Sequence, residues 1–164
     1  MTSFLFAVGL MIVAAMHPLP KDAEIVNPNG DTAGDNPVGN VKVHFTDGHA
    51  EMWTRRSQCI DPKVSAFGHV GWIYCIGKND RGWRIFGALR VVWPDEHHRD
   101  FQPYYPYIEE WDFADNDTTV IIKCMLQHGP SHYLRYRLSD GQQLDEFKGF
   151  EGAVLPDWAR PLGE

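Results

Sequence analysis

The chain has 164 residues, 43% of them hydrophobic and 13% aromatic, which is enough apolar material for one folded domain and too much for wholesale disorder. Acidic side chains outnumber basic ones 22 to 15, the formal charge is −7 and no basic stripe is visible, so nucleic-acid binding is set aside. Three cysteines fit neither a disulfide-rich scaffold nor a four-ligand zinc site.

The first residues form an apolar run, Phe4 to Met16, interrupted by Gly9. It is too short to span a bilayer, which takes about 20 residues, and matches the apolar stretch of a signal peptide. Small residues at Val13 and Ala15 precede His17-Pro18-Leu19-Pro20, which stops any helix. No Lys or Arg precedes the run. The reading is a signal peptide over residues 1–16, export to a periplasmic or extracellular space, and no membrane span in the mature chain. Residues 17–40 read as a linker, because Asn27-Pro-Asn-Gly-Asp31 and Gly34-Asp-Asn-Pro-Val-Gly39 are turn and coil compositions. Their carboxylates lack the spacing of a calcium loop.

Residues 41–164 read as a single β domain built on three similar hairpins: Val41–Trp53, Leu89–Phe101 and Leu134–Phe147. Each opens with period-2 alternation, placing Val41, Val43 and Phe45 on one strand face, as it does Leu89, Val91 and Trp93, and Leu134, Tyr136 and Leu138. Turns follow at Asp47-Gly48, Asp95-Glu96 and Asp140-Gly141, and each second strand ends on an aromatic, Trp53, Phe101 or Phe147. Arg55 to Lys63 reads as a connector holding Cys59 and Pro62. Strands are expected over Val64–Phe67 and Val70–Ile76, with Trp83–Phe86 left as a short strand or loop before Gly87. Ile108–Phe113 and Thr118–Met125 read as strands around an Asp115-Asn-Asp117 turn, with Trp111 and Phe113 facing the core. Leu155–Pro161 reads as one helical turn started by Pro156, ended by Pro161 and anchored by Trp158. The fold class is all-β: tandem antiparallel four-stranded meanders with a short C-terminal helical turn.

The stretches Ile108–Phe113, Val120–Cys124 and Tyr133–Phe147 together resemble one blade of a β-propeller, and the resemblance extends from about Val41 to Phe150. It amounts to about two and a third blades, against the ~4–8 of closed rings. The resemblance implies a binding or scaffold role; a two-sheet sandwich of the same meanders is the other arrangement. The charge of −7 favours a monomer.

Candidate chemistry is sparse. Eight histidines invite a metal reading, yet His97 and His98 are adjacent, and pairs such as His44 with His49 or His128 with His132 fall short of three converging ligands. No metal and no cofactor are assigned. Ser131-His132 with Asp112, Asp115 or Asp117 has the ingredients of a hydrolytic triad, without a nucleophile elbow. Glu109, Glu110 and Asp112 make a carboxylate cluster that a solvated strand face also explains. Phe101 to Trp111 is rich in tyrosine, whose broad faces and polar tips suit contact surfaces. The candidate binding residues are Trp72, Trp83, Tyr104, Tyr105, Tyr107, His128 and His132. The functional expectation is an exported non-enzymatic module for a protein or glycan partner, with a small extracytoplasmic hydrolase as the alternative.

Overall fold

A computed structural model describes residues 17–27, 29–126, 128–150 and 152–163; the expected leader, residues 1–16, lies outside them. The fold is all-β, as the alternation predicts, and consists of three antiparallel sheets in series with a small separate hairpin. The first sheet has the order β1 (Pro20–Val26), β4 (Asn40–Phe45), β5 (Ala50–Met52), and the small hairpin β2 (Thr32–Ala33) with β3 (Asn36–Pro37) is inserted between β1 and β4. The second runs β6 (Cys59–Val64), β7 (Val70–Lys78), β8 (Arg84–Val92), β9 (His98–Phe101). The third runs β10 (Tyr107–Ala114), β11 (Thr119–Met125), β12 (His132–Arg137), β13 (Gln143–Lys148), and a 3₁₀ helix, Asp157–Leu162, follows it.

Several boundaries differ from the sequence reading, each for a physical reason. The stretch read as linker contains β1, which pairs antiparallel with β4 through partners such as Ile25 with Val41 and Ala23 with Val43. Its Pro, Lys, Asp and Glu content is poor for a strand, so pairing and not propensity makes it one. Arg55–Lys63 is not simply a connector: β6 begins at Cys59, and its Pro62 is tolerated because β6 is the terminal strand of its sheet. A bulge between Ile60 and Lys63 puts Asp61 at φ 47°. Strand β8 passes through Gly87 without a break, and a side chain there would sit 2.4 Å from the Pro106 carbonyl oxygen. In the first hairpin β5 stops at Met52, so Trp53 lies beyond the strand it was expected to end.

Four of the hairpin turns share one backbone pattern. In Phe45–His49 the Phe45 amide donates to the His49 carbonyl and the Gly48 amide to the Phe45 carbonyl. Ser65–His69, Asn79–Trp83 and Trp93–His97 repeat both bonds. This is a type I turn closed by a left-handed residue, the position glycine suits best. Gly48, Gly68 and Gly82 occupy it in three turns; in the fourth it is Glu96, at φ 69°.

The sheets stack face to face around two cores. Val41, Val43 and Phe45 of β4 pack with Cys59, Val70, Trp72 and Val92 of the second sheet. The opposite face of that sheet, through Ile73, Leu89 and Val91, packs on Trp111, Val120, Ile122 and Leu134 of the third. Apolar side chains on both faces explain why β7 reads as a nearly continuous apolar run. Trp111 is fully buried, donates its indole N–H to the Asp61 carbonyl at 3.0 Å, and fits because Gly71 has no side chain. The 3₁₀ helix covers the far face of the third sheet by burying Ala159 and Leu162 against Ile121 and Tyr133. Its expected anchor, Trp158, is half-buried; Leu162 reaches deeper. Phe101 is buried as its strand-ending position predicts, whereas Trp53 and Phe147 are half-buried and each packs in a different core.

Candidate binding cleft

The main cleft lies where the first sheet meets the second. Two adjoining cavities, of about 520 Å³ and 370 Å³, share Thr54, Trp72 and Arg90 as a common floor. Pairing of Trp72 on β7 with Arg90 on β8 builds that floor, Thr54 closes it from the connector after β5, and the crossing between sheets is held by paired backbone bonds of Gly39 and Cys59, 2.9 and 3.1 Å. Gly39 is needed there, since a Cβ would fall 2.2 Å from the Val26 carbonyl oxygen.

The floor is rigid. Trp72 is 4% exposed and meets Trp53 edge to face at 6.4 Å. Arg90 lies over the Tyr74 ring at 5.4 Å and makes a two-pronged bond to Asp100, with both contacts 2.7 Å. The guanidinium holds the Asp100 carboxyl below the usual carboxylate range, and burial pushes the Tyr74 hydroxyl up. The forked pair uses two of the five Arg90 donors, so the remainder are free of Asp100. Burial pushes the Cys59 thiol up to about 11, so it is a small protonated hydrophobe at neutral pH and no nucleophile. Cys75 packs against the core shared with the third sheet and its thiol donates to the Gly77 carbonyl at 3.1 Å; all three cysteines are free.

The residues singled out from sequence are dispersed. Trp72 alone among them lines the main cleft. Trp83 is 57% exposed at the tip of the β7–β8 hairpin, with the Arg81 guanidinium 5.5 Å from its ring. Tyr104 is 90% exposed and meets Tyr105 edge-on at 5.6 Å. Tyr105 stacks on His132 at 3.7 Å and donates its hydroxyl to Glu146, and Tyr107 accepts from the Asn79 amide at 3.2 Å. Tyr105 and Tyr107 thus fasten the link between the second and third sheets. His128 is exposed in a turn.

The triad ingredients do not converge. The Ser131 hydroxyl donates to Glu109 at 2.6 Å, not to His132. His132 is 6% exposed, and its Nδ1 lies 3.5 Å from Glu146. Asp112 faces Lys63, Asp115 is gripped by Arg135 and Thr119, and Asp117 accepts the Phe67 amide. Among the described residues no three His, Cys, Asp or Glu side chains are placed to hold a metal ion.

Trp53, expected only as a strand-ending core aromatic, and Tyr74 and Arg90 were not among the binding residues the sequence suggested. A signal for Arg90 existed: it interrupts an apolar strand, Ala88 to Val92, whose alternate positions are all core. Comparison with protein-family models and with curated proteins found no match to this chain.

Proposed function

We propose that the protein is an exported, non-enzymatic binding module whose cleft between the first and second sheets receives a protein or glycan partner. The observation that carries this reading is the shared floor of Trp72 and Arg90, an indole and a guanidinium locked in place before any ligand arrives. Such preorganisation lowers the ordering cost of binding, and Trp and Arg are the side chains most enriched where binding energy concentrates. The protonated Cys59 thiol and the separation of Ser131 from His132 favour binding over hydrolysis.

In the same reading the three sheets are blade-like units in series, and the chain acts as a monomer. Support comes from the two ends of the stack. On the first sheet's outer face Glu24 takes Lys42 and His44 at 3.1 and 3.0 Å, a polar surface, and the third sheet's outer face lies under the 3₁₀ helix. No helix among the described residues is long and apolar enough to cross a membrane.

Titration of glycan and peptide panels against intrinsic tryptophan fluorescence tests the reading, because Trp53 and Trp72 line the cleft. A saturable change that disappears in Trp53→Ala is the expected result. Turnover of chromogenic esters or glycosides that is abolished by His132→Gln would replace the binding module with the hydrolase. Light scattering is expected to give the single-chain mass, and N-terminal sequencing from the natural host to find the leader removed near Ala15.

A further inference from the structure

The charge of the protein is distributed unevenly around the β7–β8 hairpin. The main cleft is lined at one end by Arg56, Lys78 and Arg90. Lys78 also lines a further cleft, of about 550 Å³, with Trp83, Arg84 and the β2–β3 hairpin residues Thr32 and Ala33. The 520 Å³ cavity and this cleft have no Asp or Glu side chain in their linings, although the whole chain carries −7; the acidic side chains Glu51 and Glu96 line the adjoining 370 Å³ cavity instead. Arg56 and Lys78 have no ion-pair partner among the described residues. Arg84 is held at 3.4 Å by Asp31 through one nitrogen, while its other terminal nitrogen is buried and makes no hydrogen bond. A buried guanidinium nitrogen without a partner is costly, and an anionic oxygen would relieve it.

From this arrangement we infer that the two clefts form one path across Lys78 for a linear, carboxylate-bearing glycan, with Arg56, Lys78 and Arg84 meeting successive uronate groups. The inference rests on the binding-module reading and names its ligand class. Recognition of sugar rather than acidic peptide follows from the walls. The exposed Trp83 indole offers a flat face to a pyranose ring, and Thr54, Ser57, Gln58 and Thr32 supply hydroxyl and amide partners for ring hydroxyls. The cations supply the charge selectivity: an ammonium or guanidinium bound to a carboxylate is roughly twice as strong as a neutral hydrogen bond. Because Arg56 and Lys78 are exposed, the interaction is screened by salt.

Calorimetry on the full chain at low ionic strength tests this with three probes. The first is a panel of uronate oligosaccharides: galacturonate, guluronate and hyaluronan fragments. The second is methyl-esterified oligogalacturonate, which keeps the rings and loses the charge. The third is polyglutamate, which keeps the charge and loses the rings. At least one uronate oligosaccharide is expected to bind, weakening about tenfold or more on esterification and likewise in Lys78→Gln and Arg56→Gln, whose unchanged melting temperatures would show intact folding. Trp83→Ala is expected to weaken the uronate and leave any residual polyglutamate binding unchanged. Equal binding of the ester would overturn charge recognition and leave the glycan-binding reading standing. Polyglutamate binding as tightly as the best uronate would overturn the sugar assignment. Failure of every uronate overturns the inference, while a neutral glycan or a protein bound at Trp53 would still support the cleft as a binding site.

Discussion

Replacing Gly71 by Ala probes the contact that joins the second and third sheets. A Cβ at this position would lie 2.3 Å from Cη2 of Trp111 and 2.9 and 3.0 Å from two further ring carbons. The ring has little room to yield: it is fully buried, packs edge-on against Phe113 at 5.1 Å, carries Lys63 over its face and is tied to the Asp61 carbonyl. Overpacking of this kind costs ~1–3 kcal/mol. Gly71 lies in an ordinary extended strand, so the alanine also narrows the unfolded ensemble and recovers ~0.4–1 kcal/mol. The net loss expected is about 1–2 kcal/mol, read in urea as a lower midpoint at unchanged slope. Trp111→Phe removes the crowded outer ring at the cost of an unpaired carbonyl, ~1–3 kcal/mol. In that background Gly71→Ala should cost less than about 0.5 kcal/mol, a coupling of roughly 1 kcal/mol. Equal costs in the two backgrounds would show that Trp111 does not rest on Gly71 and would refute the stacking of these two sheets.

Further outcomes are expected elsewhere in the fold. Glu96→Gly places glycine at the left-handed position of its turn; removing a strain of ~1–2 kcal/mol against the entropy of a new glycine should gain about 0.5 kcal/mol, and no rise in urea midpoint would count against the turn assignment. Burial against Trp93 and Phe113 holds the His69 imidazole below its ordinary value, in spite of Asp117 and Asp95 and in line with His97 nearby. The unfolded chain takes up that proton near pH ~6.5 and the folded chain only lower, so the His69 contribution is complete above this pH and drains as pH falls through the folded value. His49, raised by its bond to Asp47, works in the opposite sense and loses its contribution as pH rises. Urea midpoints from pH 7.5 to 5 should therefore fall less steeply in His69→Gln than in the parent, and parallel profiles would refute the assignment. Thiol titration should find three free cysteines, with Cys59 slow in the folded state and fast once unfolded; a Cys59–Cys75 disulfide in the mass spectrum would contradict the free thiols of the fold.

Much of the fold was legible along the chain because the signals are local. Alternation in Val41–Phe45, Leu89–Trp93 and Leu134–Leu138 marks the buried faces whatever those faces pack against. The Asp-Gly and Asp-Glu turns were legible for the same reason, since a left-handed residue constrains its own position. The buried Trp111 and the C-terminal turn belong with them, although Leu162 rather than Trp158 turned out to anchor that turn.

Sequence by itself therefore determined an all-β chain of short antiparallel hairpins. Tertiary structure decided which strands completed each sheet, and where a cleft would open. Strand β1 exists because β4 offers it a ladder, an interaction between residues about twenty apart that no local propensity reports. Trp72 and Arg90 are partners across β7 and β8, but they become the floor of a cleft only when Met52 to Thr54 of the first hairpin come to lie over them, and the cleft at Lys78 and Trp83 opens only when the β2–β3 hairpin comes to lie beside the β7–β8 tip. Period-2 patterning says which side chains leave the water; it carries no information about which apolar face each sheet will meet, and the cleft lies between those faces.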